Sequence, residues 1–171
     1  MPARTDSFDL SRLGLSSGEG RSLDLAVPME PLYFAAQEYS PGDDAQVRLE
    51  VSRTTGNGFA LRLRFEVGLH GPCQRCLEDA DAEVAVDARE IEQPGSGDDE
   101  LTSPYVDGEE LDLRSWARDA LALALPAQIA CSEECRGLCA VCGANLNEDP
   151  EHEHEPAPDP RWAKLSELEL D

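Results

Sequence analysis

The cysteines are the sequence feature that most restricts how this chain can fold. Six cysteines occur as pairs, and four of them fall within residues 131–142. Cys139 and Cys142 are separated by two residues and followed by a glycine, which is the form of a zinc knuckle, a tight turn carrying two thiolates. Cys73 and Cys76 repeat this spacing upstream. The pattern predicts a domain that folds around bound metal.

The spacing of the candidate ligands offers more than one way to build a site. Zinc takes four tetrahedral ligands, usually as two pairs from different segments. The chain supplies four pairs, namely Cys73/Cys76, Cys131/Cys135, Cys139/Cys142 and His152/His154. We predict one ion on the first two pairs and a second ion on the last two. In an extended segment both histidine rings lie on one face, because the strand period is two.

Two alternatives to this pairing remain open at the level of sequence. One site could use only the four cysteines of residues 131–142, which would leave Cys73 and Cys76 as a reactive or structural pair. The histidines lie in an acidic segment, where such rings are often solvated, so the thiols are the stronger ligands. His70, three residues before Cys73, is a reserve ligand.

A site closed by four protein ligands has consequences for function. It has no open position for water or substrate, so its zinc is structural. Its binding energy then becomes folding energy, on the order of 10 kcal/mol. We expect no enzyme activity. The alternative is a thiol-redox or RNA-processing enzyme that uses Cys73 and Cys76, but this pair lacks the helix N-terminus that would lower a thiol pKa.

The charge of the chain limits its partners. With 36 acidic against 14 basic residues among 171, the net charge is −22. Such a surface repels DNA, bare RNA and acidic membranes, and it favours basic protein partners. The N-terminus has no signal-peptide pattern, and no apolar stretch reaches membrane-spanning length. We expect a cytoplasmic protein, in which clustered thiols stay reduced and serve as ligands rather than disulfides.

Alternation of apolar and polar residues predicts a half-buried antiparallel sheet. Strands are predicted over residues 21–27, 47–51, 59–69 and 83–91, with a Gly56-Asn57-Gly58 turn joining the middle two as a hairpin. Asp112 can cap a helix that runs to Leu125, before Pro126. The fold class predicted is α+β, an antiparallel sheet packed by one main helix, with a C-terminal zinc-stapled loop region.

Arginines on the outer face of the predicted hairpin have two interpretations. They are Arg48, Arg53, Arg62 and Arg64. The simpler interpretation is a solvated face. The functional interpretation is a small basic stripe that contacts phosphate.

The domain organisation follows from composition. Residues 1–20 are predicted to be a flexible segment, and residues 21–146 a single domain with an acidic loop at 93–110. Residues 147–171 are predicted to be an acidic tail with a short amphipathic end segment, on which Trp162, Leu165 and Leu168 share one side.

Four motifs in order resemble those of a known family. They are Gly71-Pro-Cys-Gln-Arg-Cys-Leu77, Leu111-Asp-Leu113 leading to Leu123-Ala-Leu-Pro126, Cys135-Arg-Gly-Leu-Cys-Ala-Val-Cys-Gly143 with Asn145-Leu146, and Asp159-Pro-Arg-Trp162. Together they resemble the YceD family, whose members are called large ribosomal RNA subunit accumulation proteins. The resemblance covers residues 20–168. His152 and His154 depart from it, since a Cys-x-Cys is expected there in many relatives.

The resemblance implies a role in accumulation, processing or stability of the large-subunit ribosomal RNA, within ribosome assembly, and no established enzyme activity. Combined with the charge, it predicts a zinc-stabilised factor that binds a basic ribosomal protein or a large-subunit precursor. Contact with RNA is expected to be indirect.

Overall fold

The computed structural model describes residues 5–34, 36–95, 97 and 101–154 of the chain. Within these residues the elements are β1 (Phe8–Asp9), β2 (Gly20–Val27), β3 (Leu32–Phe34), β4 (Gln37–Pro41), β5 (Ala45–Arg53), β6 (Phe59–Pro72), β7 (Asp79–Glu92), β8 (Val106–Asp107), β9 (Glu110–Leu111) and the helix α1 (Leu113–Ala124). Most of the regular structure is therefore antiparallel sheet with one α-helix, as the α+β prediction requires.

The long strand β6 organises the main sheet. Its first half pairs with β5, its end pairs with β4, and its other edge pairs with β7 along the full strand. β2 lies outside β5, and β3 lies outside β4. Apolar residues of β6 alternate in burial with polar ones, because successive side chains point to opposite faces. The predicted hairpin of residues 47–51 and 59–69 is confirmed.

The helix closes the open side of this sheet. Asp112 caps it, as predicted, by accepting a hydrogen bond from the Ser115 backbone N–H at 3.0 Å. The helix ends at Ala124, one residue before the predicted end at Leu125. α1 packs against β2 and β7, which lie on opposite sides of the β5–β6 pair. Trp116 is 1% exposed in the core between them. Burial of the apolar face of α1 thus joins the two outer strands.

Several short elements were not predicted. Residues 32–34 show no apolar–polar period, yet they pair with β4. The acidic segment 93–110, predicted to be a loop, contains β8, and β8 pairs with β9. β9 also pairs with β1, and Leu10 is 2% exposed, so described residues of the segment predicted to be flexible lie against the sheet. Leu10 and Leu111 are buried in the core, and their burial holds these two-residue strands in position.

Residues 126–154 have little regular structure. Residues 126–154 are all described, and the one β-bridge among them joins Leu138 to Asn145. The predicted end segment with Trp162 and Leu165 lies outside the described residues. No helix in the described ranges has the length and apolar character of a membrane span.

Candidate metal centres

The turn after β6 has the geometry of a knuckle, which we call the first knuckle (residues 73–78). The backbone N–H of Cys73 donates to the Glu78 carbonyl at 2.6 Å, and that of Leu77 donates to the Cys73 carbonyl at 2.9 Å. The N–H of Arg75 lies 3.4 Å from the Cys73 sulfur. Leu77 has a φ of 65°. The turn therefore directs backbone N–H groups at a sulfur, an arrangement that favours thiolate.

Residues 139–144, the second knuckle, repeat this hydrogen-bond set. The N–H of Cys139 donates to the Ala144 carbonyl at 2.8 Å, and that of Gly143 donates to the Cys139 carbonyl at 2.9 Å. The N–H of Val141 lies 3.4 Å from the Cys139 sulfur. Gly143 has a φ of 74°, at the position where Leu77 has its positive φ. The two Cys-x2-Cys turns are thus the same local structure built twice.

Close packing fixes the first knuckle at the end of the sheet. A Cβ on Gly71 would clash with the Tyr39 ring and lie 2.8 Å from the Glu38 carbonyl oxygen, so only glycine fits there. The Tyr39 hydroxyl donates to the Pro72 carbonyl at 2.8 Å. Tyr39 and Ile129 are buried in a small cluster with three of the cysteines. β4 and β6 therefore hold the first knuckle in place.

Backbone hydrogen bonds bring the segment after α1 to the first knuckle. The N–H of Gln74 donates to the Ile129 carbonyl at 2.9 Å, and the N–H of Leu138 donates to the Arg75 carbonyl at 3.0 Å. Gly137 allows this approach, because a Cβ there would lie 3.0 Å from the same Arg75 carbonyl oxygen. The chain from 129 to 138 therefore wraps round the turn and carries its own two cysteines to it.

Four cysteines converge at this point and form the first group: Cys73, Cys76, Cys131 and Cys135. Their sulfurs all lie within 4.8 Å of one another. The sulfurs of Cys73 and Cys135 are 3.8 Å apart, and those of Cys76 and Cys131 are 3.6 Å apart. Tetrahedral zinc with Zn–S bonds of about 2.3 Å separates its sulfurs by about 3.8 Å. The first group fits a tetrahedral site with four thiolate ligands.

The thiols of the first group differ in pKa. Burial opposes ionisation of Cys73, but backbone N–H groups, foremost those of Cys76 and Cys131, lower its pKa to about 6. The N–H of Glu78 favours the thiolate of Cys76, but burial and the neighbouring thiols outweigh it and raise that pKa to about 12. A divalent cation among the four sulfurs would hold all of them as thiolates.

The second group consists of two cysteines and two histidines: Cys139, Cys142, His152 and His154. The His152 Nε2 atom lies 3.1 Å from the Cys142 sulfur and 2.9 Å from the His154 Nε2 atom. A tetrahedral site requires about 3.3–3.6 Å between such atoms, so an ion would separate them by a few tenths of an ångström. The backbone N–H groups of Cys142 and Val141 lower the pKa of Cys139 to about 6.

The two groups differ in burial. In the first group Cys73, Cys76 and Cys135 are buried and Cys131 is exposed. In the second group Cys142 is exposed. An ion in the first group would therefore be largely surrounded by protein, whereas an ion in the second would lie at the surface.

The structure brings the predicted ligands together in the preferred pairing. The alternative grouping of the four cysteines of residues 131–142 does not form, because the two pairs in that segment belong to different groups. His70 belongs to neither group. Its Nδ1 atom is 2.9 Å from the Asp81 carboxylate, and this hydrogen bond raises the pKa of His70.

Two residues that no sequence motif identifies, Asn147 and Asp149, support the groups. Asn147 Nδ2 lies 3.5 Å from the Cys135 sulfur, and its Oδ1 accepts the Arg136 N–H at 2.7 Å. The contact of Asn147 with the sulfur is the first cause of the lowered pKa of Cys135. Asp149 lies 3.7 Å from His152 Nδ1. The available signal was the cluster of polar residues Asn145, Asn147, Glu148 and Asp149 between the second knuckle and the histidines.

The arginine stripe is largely occupied by ion pairs. The Arg62 Nε donates to Asp87 at 2.7 Å, Arg64 pairs with Glu50, and Arg53 lies 3.3 Å from a carboxylate oxygen of Glu109. Three of the four predicted arginines thus have carboxylate partners. Arg53 does not belong to this stripe, because it lies opposite buried Phe59 and its guanidinium lies over the Phe59 ring. The pairs of Arg62 and Arg64 favour the simpler interpretation, a solvated face with cross-strand pairs.

Comparison with known proteins gives partial matches among curated sequences. A protein of Mycobacterium tuberculosis (strain H37Rv), described as uncharacterized, is 41% identical over 103 residues, which are 57% of this chain and 49% of that protein. A Mycobacterium leprae protein, also described as uncharacterized, is 34% identical over 102 residues, 56% of this chain and 46% of that protein. The chain thus spans about half the length of these relatives.

A plant relative carries a functional description. It is the Zea mays large ribosomal RNA subunit accumulation protein YCED homolog 1, chloroplastic, 42% identical over 50 residues, which are 29% of this chain and 17% of that protein. No solved structure matches the chain. The family model described as large ribosomal RNA subunit accumulation protein YceD matches residues 61–169, a range that includes both knuckles and all residues of both groups. The chain therefore belongs to the YceD family.

Proposed function

We propose that the protein is a non-enzymatic, zinc-stabilised factor that supports accumulation of the large-subunit ribosomal RNA during ribosome assembly. The observation that carries this proposal is the family match over residues 61–169, a range that holds both knuckles. The first group supports a structural role for the zinc, because four thiolate ligands at tetrahedral spacing suit zinc and leave no ligand position for a substrate.

The proposed zinc has a specific task in this fold. Residues 126–154 contain one β-bridge, and their buried residues are Ile129, Cys135 and Gly137. So little apolar burial cannot offset the conformational entropy of ordering the segment. We propose that one ion in each group supplies the missing free energy and fixes the segment to the end of β6. Its role is therefore structural.

The charge supports a protein partner over bare RNA. A net charge of −22 repels phosphate, and three of the four arginines predicted for the stripe are paired with carboxylates. We propose that the protein binds a basic ribosomal protein or a precursor particle that displays one. The setting is a reducing compartment, the cytoplasm, in which the thiols remain available for zinc.

A redox role for Cys73 and Cys76 receives less support. A pKa of about 6 suits a reactive thiolate, but Cys73 is 0% exposed and its sulfur is 3.8 Å from that of Cys135. A reactive thiol needs access to its substrate. Four clustered sulfurs at tetrahedral spacing are better explained as ligands.

Sedimentation of cell extracts tests the proposed function. The tagged full-length chain should co-sediment with large-subunit precursors in a gradient, and mild RNase should leave it bound to basic ribosomal proteins. Cys135→Ser should abolish co-sedimentation, whereas the control Ser132→Ala, at an exposed position of the same turn, should not. Absence of the wild-type chain from precursor fractions, with unchanged levels of large-subunit ribosomal RNA after its depletion, would contradict the proposal.

A further inference from the structure

The strand β7 has an unpaired edge. Among the described residues β7 pairs with β6 alone, over its whole length from Asp79 to Glu92. On the other edge, the backbone N–H and C=O groups of alternate residues point away from the ladder. An edge of this kind is a template for an added strand.

A groove of about 360 Å³ follows this edge between β7 and α1. Residues 86–90 of β7 line it consecutively. Successive side chains of a strand point to opposite faces of the sheet. A groove lined by five consecutive residues therefore runs along the edge of the strand and not over one face of the sheet. α1 contributes Trp116, Ala120, Leu123 and Ala124 to the opposite wall. Leu123 is 87% exposed, so the wall presents apolar surface to solvent.

The edge strand is strongly acidic. Its charged residues are Asp79, Asp81, Glu83, Asp87, Arg89, Glu90 and Glu92, which are six acids and one base. Val84, Val86 and Ala88 share one face of the strand, and Asp87 and Arg89 lie on the other. A ligand complementary to this edge is extended, exposes its own backbone groups, and alternates cationic with apolar side chains.

Charge also distinguishes between the possible occupants of the groove. A second copy of the chain would place one acidic β7 edge against another, which like charges disfavour. Residues 155–171 of this chain carry five acidic residues against two basic ones, so they too would meet an acidic edge with net negative charge. A basic segment of another protein has the complementary sign.

We propose that the β7 edge and the β7–α1 groove bind an extended basic segment of a partner protein as an added β-strand. This inference rests on the proposed function, because it identifies the surface on which the basic partner is held. The strand ladder supplies affinity, the apolar wall around Leu123 accepts apolar side chains, and Glu90 on the groove attracts cationic ones.

Comparing an unmodified peptide with its N-methylated form tests strand addition directly. The probe is an acetylated and amidated peptide of alternating arginine and valine, about nine residues or roughly 30 Å when extended. The control is the same sequence N-methylated at every amide, which keeps the charge but cannot donate backbone hydrogen bonds. Binding to the zinc-loaded full chain is measured by calorimetry at fixed salt. The methylated peptide should bind at least about tenfold more weakly.

Two variants of the protein locate the binding surface. Leu123→Arg should weaken binding of the unmodified peptide at least about tenfold, because it places a cation in the groove and removes apolar contact. The matched control Tyr33→Arg changes another exposed apolar residue, 65% exposed on β3, and should leave binding within about twofold. Hydrogen exchange of amides in β7 should slow when the unmodified peptide is bound.

Two results would overturn the inference. One is equal binding of the methylated and unmodified peptides, which would mean attraction by net charge alone. The other is slower exchange elsewhere with none in β7. If either occurs while the chain still co-sediments with large-subunit precursors, the groove proposal fails and the proposed function stands. If the peptide adds to β7 but the chain does not co-sediment with large-subunit precursors, the proposed function fails and the groove proposal stands.

Discussion

Replacing Cys135 by serine should release metal from the first group and leave the second group loaded. Cys135 is 1% exposed, its sulfur is 3.8 Å from that of Cys73, and it accepts a hydrogen bond from Asn147. Structural zinc sites bind with about 10–16 kcal/mol, so an equal share for one of four ligands is about 3 kcal/mol. That loss corresponds to roughly 100-fold weaker binding in the first group.

The assay is competition with a chromogenic chelator, combined with hydrogen exchange of the same samples. In Cys135→Ser, one of two zinc equivalents should transfer to the chelator at a concentration that leaves the wild type intact, and amides of residues 129–138 should exchange faster. Cys139→Ser is the matched control, since it should release the other equivalent and leave exchange over 129–138 unchanged. Wild-type affinity and exchange in Cys135→Ser would show that Cys135 is not a ligand of the first group.

Three further perturbations test other parts of the structure. Trp116→Ala removes a core side chain that is 1% exposed, and should lower the free energy of unfolding by about 3–5 kcal/mol in denaturant titrations. Asp112→Ala removes the N-cap of α1 and should cost about 1 kcal/mol in the same assay. His70 should titrate by NMR above its ordinary pKa of 6.5, because its hydrogen bond with Asp81 favours the charged ring. Any stability from this pair is present below pH 6.5 and is lost as pH rises through the raised pKa, and Asp81→Asn should return the pKa towards 6.5.

The parts of the fold that were predictable have a strong periodic signal. Alternation over residues 59–69 and helical spacing after Asp112 identify β6 and α1, because burial of one face imposes a period on the sequence. The grouping of the candidate ligands was also predictable, because a Cys-x2-Cys turn offers two thiols on one local structure and needs a second pair from elsewhere to complete a tetrahedral set.

Other parts depend on contacts that no local pattern reports. β1 and β9 each have two residues, too few to show a period, and their pairing depends on the burial of Leu10 and Leu111. The pairing of Arg62 with Asp87 depends on the register between β6 and β7, which the sequence alone does not set. Asn147 reaches Cys135 only because the chain folds back after the second knuckle.

The metal content of the reduced protein as isolated, measured together with the number of reactive thiols, decides whether both groups hold zinc. We expect two zinc ions per chain, one in each group, and six thiols that resist alkylation until a chelator is added. A metal-free protein that remains folded through residues 126–154, with all six thiols open to alkylation, would contradict this expectation.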